Sequence, residues 1–224
     1  MSVEMNMEEI EINLRVVTLE ANLSIPEDPN ALVIFAHGSG SSRLSPRNSF
    51  VARTLNERGI ATLLPDLLTP FEDQVHENRF NVALLSNRLV QVTEWALQQS
   101  TLRKLAVGYF GASTGAASAL QAATRLDPTI KAIVSRSGRP DLAKAVSKVK
   151  APTLFIIGSL DTQVIELNGL AYDRLQCEKK MEIVEGASHL FEEPGTLPIA
   201  ADLATGWFEN HLSGIPVKRA NLKN

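Results

Sequence analysis

A serine between two glycines is the residue in this chain best placed for nucleophilic chemistry. The sequence Gly-Ala-Ser-Thr-Gly at 111–115 follows an apolar run, Leu105–Phe110, that predicts a β-strand, and it opens a small-residue segment, Thr114–Leu126, that predicts a helix. A serine at such a turn takes up a strained backbone conformation that projects its hydroxyl above the sheet. Ser113 is therefore the candidate nucleophile. The alternative interpretation is a glycine-rich turn used for packing or for binding phosphate.

A serine hydroxyl of this kind needs a base, which is oriented in turn by a carboxylate. Two histidines follow Ser113. His189 comes just after the last predicted strand, where a loop can present an imidazole at the edge of the sheet. His211 lies in the last predicted helix, where a solvated surface position is expected. We therefore take His189 as the candidate base.

Asp161 is the candidate acid. It follows the apolar run Thr153–Ile157 and a Gly-Ser-Leu turn, which places its carboxylate at the carboxyl end of a strand, on the same edge as the candidate nucleophile and base. The alternative role is a cap for the helix that begins near Ile165. Asp141 and Glu166 are fallback acids that are less well aimed.

The tetrahedral intermediate of such a reaction needs two N–H donors. One is expected from the backbone of Thr114, the residue after the nucleophile. The other is expected from the His-Gly-Ser-Gly turn at 37–40, after the apolar run Ala31–Ala36, and we assign it to the N–H of Ser39. His37 is interpreted as a residue that braces this turn.

Arginines cluster after two of the predicted strands. Surface solvation is the default role for each of them, but a guanidinium also matches the geometry of a carboxylate or phosphate, so an anionic small-molecule substrate is a second hypothesis. The candidates are Arg43, Arg47, Arg136 and Arg139.

The elements that position these residues alternate between short apolar runs and longer segments of helical period. Strands that are apolar throughout are typical of a parallel sheet with helices on both faces, so the order predicts an α/β doubly wound sheet with an antiparallel N-terminal pair in a single domain, 1–224. The predicted strands are Ile10–Leu14, Arg15–Ala21, Ala31–Ala36, Ile60–Leu64, Leu105–Phe110, Ile130–Ser135, Thr153–Ile157 and Met181–Val184. The predicted helices are Asn48–Arg58, Phe80–Gln99, Thr114–Leu126, Leu142–Ser147, Glu166–Gln176 and Leu197–Leu212.

Composition limits the partners. The formal net charge of −3 and the pI near 5.9 give no basic surface for nucleic acid. The longest apolar run, Ala31–Ala36, is too short to cross a bilayer, and Met1–Ile12 is acidic where a signal peptide is basic and then apolar, so a cytoplasmic protein without membrane contact is expected. The single cysteine, Cys177, has no second cysteine with which to form a disulfide or a metal-ligand pair, and no cofactor is predicted.

Together, the four motifs resemble the α/β-hydrolase superfamily and, within it, the small dienelactone-hydrolase-like group. They are His-Gly-Ser-Gly after a strand, Gly-Ala-Ser-Thr-Gly, Gly-Ser-Leu-Asp and Ala-Ser-His-Leu-Phe, and the resemblance extends from Ala31 to Leu212. It implies an eight-stranded sheet, a triad of Ser113, Asp161 and His189, and an oxyanion hole from Ser39 and Thr114.

Two positions depart from the enzymes that give this group its name. Those enzymes have a cysteine at the position of Ser113 and a glutamate at the position of Gly38. A general serine-esterase mechanism is therefore expected. The stretch between the strands near Ser135 and at Thr153 leaves room for only one short helix, and Leu67–Arg79 is brief and polar. No large cap is therefore expected, which favours small soluble esters, thioesters or lactones. An acyltransferase or perhydrolase with the same triad, or a non-catalytic binding member of the fold, remains the alternative.

Overall fold

The computed structural model describes residues 7–212, whose strands form one eight-stranded sheet in the order β1-β2-β4-β3-β5-β6-β7-β8. The strands are β1 (Met7–Asn13), β2 (Thr18–Ser24), β3 (Ala31–Ala36), β4 (Ile60–Pro65), β5 (Ala106–Ala112), β6 (Ile130–Arg136), β7 (Thr153–Gly158) and β8 (Lys179–Val184). The helices are α1 (Pro46–Asn56), α2 (Pro70–Asp73), α3 (Val82–Ala96), α4 (Thr114–Ala123), α5 (Thr162–Arg174) and α6 (Thr196–Leu212).

The pairing of the strands confirms the predicted sheet. β1 and β2 pair antiparallel, β2 joins β4 antiparallel, and β3 to β8 are otherwise parallel to their neighbours. Every residue of β3, β4 and β7 is buried, as expected of strands with helices on both faces. Because the carboxyl ends of parallel strands meet at one edge, the loops after β3, β5, β6, β7 and β8 open on the same side of the sheet.

Helices cover both faces of the sheet and enclose two apolar cores. On one face α1 and α6 pack against each other and against the central strands, with Phe35, Phe110 and Phe208 in the core between them. On the other face α3, α4 and α5 pack over a larger core that includes Leu120 and Phe155. The two cores hold the central strands rigid, and with them the loops at their carboxyl ends.

The predicted helix Leu142–Ser147 is wrong. The segment forms two short 3₁₀ turns, Pro140–Leu142 and Val146–Lys148. Its buried apolar residues, Ala143, Val146 and Val149, recur every three residues, which is the period of a 3₁₀ turn rather than of an α-helix.

The stretch after β4 contains the short helix α2 and a 3₁₀ turn, His76–Phe80, which replaces the start of the predicted helix Phe80–Gln99. Thr69 and Glu72 form a capping box at the start of α2, and the Glu72 carboxylate also accepts a hydrogen bond from Arg88 in α3 at 2.6 Å. Burial alone would raise the pKa of Glu72, but the N–H of Thr69 and the Arg88 guanidinium outweigh it and lower the pKa. Among residues 7–212, no helix is both long and apolar enough to cross a membrane.

Candidate active site

Ser113 lies at the turn between β5 and α4 in a backbone conformation that residues other than glycine rarely adopt. Its φ is 52° and its ψ is −124°. The turn is closely packed: a Cβ added at Gly111 would lie 2.5 Å from the Cα of Ala116, and one at Gly115 would overlap the backbone of Ala36 at the end of β3. The two glycines of the motif therefore let α4 cross the ends of β5 and β3, and this crossing raises the serine above the sheet.

The three residues predicted as nucleophile, base and acid come together at this edge. The Nε2 atom of His189 is 3.3 Å from the Oγ of Ser113, within reach of its hydroxyl proton. The Nδ1 atom of the same ring lies 2.6 Å from Oδ2 of Asp161, which accepts its N–H. The second bond fixes the tautomer that leaves Nε2 free to take a proton from the serine.

Backbone hydrogen bonds between two neighbouring loops position the acid and the base. The loop after β7 carries Asp161 and the loop after β8 carries His189. Ser159 Oγ accepts the N–H of Gly186 at 2.8 Å, and Ala187 O accepts the N–H of Leu160 at 3.0 Å. These hydrogen bonds connect the two loops and so help to fix the distance between the Asp161 carboxylate and the His189 imidazole.

The Glu193 carboxylate supports the histidine loop from the other end. Its Oε2 accepts the N–H of Ser188, the residue before His189, at 2.9 Å. This backbone hydrogen bond is the main reason that the pKa of Glu193 is lowered from its ordinary value. Sequence reasoning missed this residue, because nothing in the pattern around it shows that it bonds back to the loop.

The two N–H groups predicted to stabilise the oxyanion belong to Thr114, at the start of α4, and to Ser39, in the loop after β3. The Ser39 N–H already forms a hydrogen bond in this structure. The N–H of Ser39 donates to Oγ1 of Thr114 at 2.8 Å, a bond that ties the loop after β3 to the nucleophile turn. An oxyanion would therefore have to take this N–H from the threonine hydroxyl. A charged acceptor forms a stronger hydrogen bond than a neutral hydroxyl, so the exchange is favourable once negative charge develops.

His37 braces the loop after β3. Its Nε2 accepts the N–H of Leu67 at 3.1 Å, and its Nδ1 lies 3.0 Å from the carbonyl oxygen of Gly38. The ring thus connects the loop to the segment that follows β4. At Gly38 itself an added Cβ would be 3.1 Å from the Cβ of Ser113, so this position presses directly on the nucleophile.

A cavity of about 480 Å³ opens beside Ser113. It is bounded by the loop after β3, the start of α1, the ends of β5 and β6, and the histidine loop. Its lining residues are Gly38, Ser39, Gly40, Ser41, Ser42, Leu44, Ser45, Pro46, Arg47, Asn48, Ala112, Ser113, Arg136, Ser137, His189 and Leu190. The cavity is thus continuous with the candidate nucleophile and base.

The four arginines singled out from the sequence separate into two pairs. Arg43 binds the carboxylates of Glu20 and Asp66, and Arg139 binds Asp141; neither arginine lines the cavity. Asp141, one of the two fallback acids, therefore pairs with Arg139 rather than with His189.

Arg47 and Arg136 do line the cavity. Arg47 pairs with the exposed Glu192 at 3.3 Å, and Arg136 lies almost completely buried with its guanidinium 5.7 Å from the centre of the Phe191 ring. Two further polar residues of the cavity, Asn48 and Ser137, are not predicted from sequence, because neither belongs to a motif that indicates a role in a site.

No group of three His, Cys, Asp or Glu side chains within the described part of the chain is arranged to hold a metal ion. Cys177 is half-buried, burial raises the pKa of its thiol, and its Sγ lies 4.0 Å from Thr153 Oγ1.

Comparison with solved structures gives a full-length match. The chain is 47% identical to a dienelactone hydrolase from Anabaena variabilis ATCC 29413, with a TM-score of 0.90 over 94% of this chain and 100% of that one. A more distant match is Est1E from Butyrivibrio proteoclasticus, at 18% identity and a TM-score of 0.77 over 90% of this chain and 98% of that one, which shows the fold alone. No model of a protein family matches the chain.

A curated relative is named for an activity other than hydrolysis. The chain is 49% identical over 208 residues to a Mycobacterium tuberculosis protein named “Putative phosphoribosyl transferase”. The matched region is 92% of this chain but 47% of that protein, so this chain spans about half the length of the curated relatives it matches. Identity and coverage against the Anabaena structure, together with the eight-stranded sheet, establish that the chain belongs to the dienelactone hydrolase family of the α/β-hydrolase fold.

Proposed function

We propose that this protein is a serine hydrolase that cleaves small carboxylic esters, thioesters or lactones through an acyl-enzyme on Ser113. The observation that carries the proposal is the chain of contacts from Ser113 Oγ to His189 Nε2 at 3.3 Å and from His189 Nδ1 to Asp161 Oδ2 at 2.6 Å. Family membership supports hydrolysis, whereas the serine nucleophile and the choice of ester are inferred from the chain's own residues.

In this mechanism Ser113 Oγ attacks the carbonyl carbon of the substrate while His189 Nε2 takes the hydroxyl proton. The carbonyl π electrons move to oxygen, and the N–H groups of Thr114 and Ser39 stabilise the negative charge. When the tetrahedral intermediate collapses, the bond to the leaving group breaks and the imidazolium gives its proton to that group. Water, deprotonated by the same nitrogen, then attacks the acyl-enzyme and releases the acid and free Ser113.

Solvent access favours water as the acceptor in the second step. The side chain of His189 is 37% exposed, and the residue lines the cavity beside Ser113. An acyltransferase or perhydrolase with the same triad would differ only in the acceptor, and product analysis in the presence of alcohol or peroxide distinguishes the three.

Phosphoribosyl transfer, the activity in the name of the Mycobacterium relative, is not supported by this geometry. That name belongs to a protein of which this chain spans 47%, and the triad is arranged for attack on a carbonyl.

The test combines labelling and mutation. We expect a fluorophosphonate probe to label the native protein, because only an activated serine reacts with it. Ser113→Ala should abolish labelling and lower kcat/KM on a short aryl ester by at least ~10³-fold, since the nucleophile and its base act as a unit. Circular dichroism and the thermal midpoint should stay unchanged as the control for folding. Retained turnover in a folded Ser113→Ala variant would exclude this mechanism.

A further inference from the structure

β8 is one of the two outermost strands of the sheet, and no strand of the described part of the chain pairs with its outer edge. Its register with β7 is unbroken over the whole strand. Glu178 O and Val184 O accept N–H groups from the two ends of β7, so the even-numbered residues turn their backbone groups toward β7. Because successive residues alternate, Lys179, Met181 and Ile183 turn their N–H and C=O groups toward the open edge. An edge of this kind can pair with another strand.

The other outermost strand, β1, is protected against self-pairing by its charge. Glu8, Glu9 and Glu11 give it charges of a single sign. An antiparallel pairing of two copies of β1 that is centred on any residue from 8 to 11 places glutamate opposite glutamate, which is destabilising. Charged side chains on edge strands commonly prevent association in this way. The edge of β1 is therefore disfavoured as a contact between copies of the chain.

β8 differs from β1 because it carries charges of both signs on one face. Lys180 and Glu182 point to the same side of the sheet, where they form an ion pair at 2.6 Å, and their side chains are 61% and 29% exposed. In an antiparallel pair of two β8 strands centred on Met181, Lys180 of each copy lies opposite Glu182 of the other copy. The same register brings together the residues whose backbone groups face the open edge. Met181 meets its own counterpart, and Lys179 meets Ile183.

The neighbouring registers of such a pair are disfavoured. A pair centred on Lys180 places two lysines opposite each other, and a pair centred on Glu182 places two glutamates opposite each other. A pair centred between two residues sets backbone groups that face the open edge against residues whose own backbone groups already face β7. The register centred on Met181 therefore satisfies the backbone and the charges together.

The opposite face of β8 supplies apolar contacts in the same register. Ile183 is 44% exposed and Met181 is partly buried. The Ile183 side chain would lie opposite Lys179 of the other copy. The Lys179 ammonium is already held by the carbonyl oxygens of Tyr172 and Leu175, at 2.6 and 2.9 Å, so its methylene groups are left to pack against the isoleucine. Burial of these groups adds to the affinity, whereas the exposed ion pairs chiefly select the register.

We propose that two copies of this chain associate through the open edge of β8, as antiparallel strands centred on Met181, and so form one continuous sheet. The argument for a second copy is the self-complementary order of the charges, lysine before glutamate, which an antiparallel copy reverses. The paired strands are short, so the dimer is expected to be weak and dependent on concentration. The residues of β8 do not line the cavity beside Ser113, and the proposal does not depend on hydrolase activity.

The first test is the mass of the protein in solution. Sedimentation velocity from about 1 to 300 µM covers the range needed, because small interfaces have dissociation constants that are roughly micromolar or weaker. We expect the weight-average mass to rise with concentration from the 24.4 kDa of the chain toward twice that value. A protein that stays monomeric over the whole range would overturn the proposal.

Two charge reversals test the register. Lys180→Glu places glutamate opposite glutamate in both pairs, and Glu182→Lys places lysine opposite lysine, so each variant alone should dimerise ~10-fold or more weakly than the parent. An equal mixture of the two variants should dimerise about as well as the parent, because every glutamate then faces a lysine. The control Glu8→Lys reverses a charge on β1 and should leave the dimer unchanged. Single variants that dimerise like the parent, or a mixture that stays monomeric, would contradict the register.

A proline substitution tests the backbone pairing independently of charge. Ile183→Pro removes an N–H group that faces the open edge, a position where proline is tolerated because no hydrogen bond to β7 is lost. We expect an unchanged circular dichroism spectrum and a dimer that is ~10-fold or more weaker, because the pairing loses hydrogen bonds at both ends. The control Ile183→Val keeps the N–H group and should dimerise like the parent. A folded Ile183→Pro variant that dimerises normally would show that another surface joins the two copies.

Discussion

Ser113, Ser137 and Phe191 each have a positive φ, of 52°, 42° and 57°, although none of them is a glycine. Each such residue costs on the order of 1–3 kcal/mol, and the strain persists only where the surrounding structure enforces it. All three lie around the end of β6: Ser113 is the candidate nucleophile, Ser137 follows Arg136, and the ring of Phe191 lies against the Arg136 guanidinium. The strain is thus concentrated where the structure suggests that chemistry and binding occur.

The Asp161 carboxylate of the candidate triad gives a prediction that a single substitution can test. Asp161→Asn keeps the size of the side chain but lets its amide donate to His189, which favours the tautomer with its proton on Nε2, the wrong nitrogen for a base. We expect kcat on a short ester to fall by ~10³- to 10⁴-fold with little change in KM. The matched control is Asp141→Asn, whose carboxylate binds Arg139 instead. Similar activity losses in both variants would show that Asp161 has no special role.

At the scale of elements, the site depends on how closely α4 crosses the ends of two strands. Gly115→Ala would place a methyl group against the backbone of Ala36 and His37, which cannot move without shifting the loop after β3. We expect a loss of ~1–3 kcal/mol in the free energy of unfolding, together with a fall in kcat.

The control for that substitution is Gly169→Ala in α5, where an added Cβ meets nothing within 4 Å. Alanine in a helix interior is favoured over glycine, so this variant should gain ~0.5–1 kcal/mol and keep full activity. Urea denaturation of both variants measures the difference. If the free energy of unfolding of Gly115→Ala equals that of the parent protein, the turn between β5 and α4 is not closely packed.

The central strands could be predicted from sequence because β3, β4 and β7 are largely apolar runs, and burial on both faces requires that pattern. Helix ends were less accurate: α1 begins at Pro46 rather than Asn48, because Ser45 caps it with a side chain that accepts the N–H of Asn48. The sequence of Leu142–Ser147 predicts a short helix, which the structure does not contain. Its 3₁₀ turns depend on how it packs between α4 and α5, which local sequence does not encode.

The candidate triad could be proposed from sequence because chain order and strand ends confine each role to at most three residues. The arginines could not be sorted in this way. Whether a guanidinium is free depends on carboxylates far along the chain: Arg43 meets Glu20 and Asp66 from two other parts of the sheet, whereas Arg136 meets none in the described part. Only the folded arrangement shows which positive charge remains unpaired.

At the scale of the whole molecule, the chain has a formal net charge of −3, and the lining of the cavity beside Ser113 includes two arginines, Arg47 and Arg136. The Mycobacterium relative carries a region 49% identical to this chain within a protein about twice as long. The matched region spans 92% of this chain and 47% of that protein.

The central claim is that Ser113 carries the acyl group during turnover. Its most direct test is intact-mass and peptide mass spectrometry of the protein quenched in acid within milliseconds of mixing with an activated short-chain aryl ester. The account predicts one added acyl group per chain, located on the peptide that contains Ser113 and absent from Ser113→Ala. An active protein that releases product with no adduct on Ser113, or with the adduct on another residue, would contradict it.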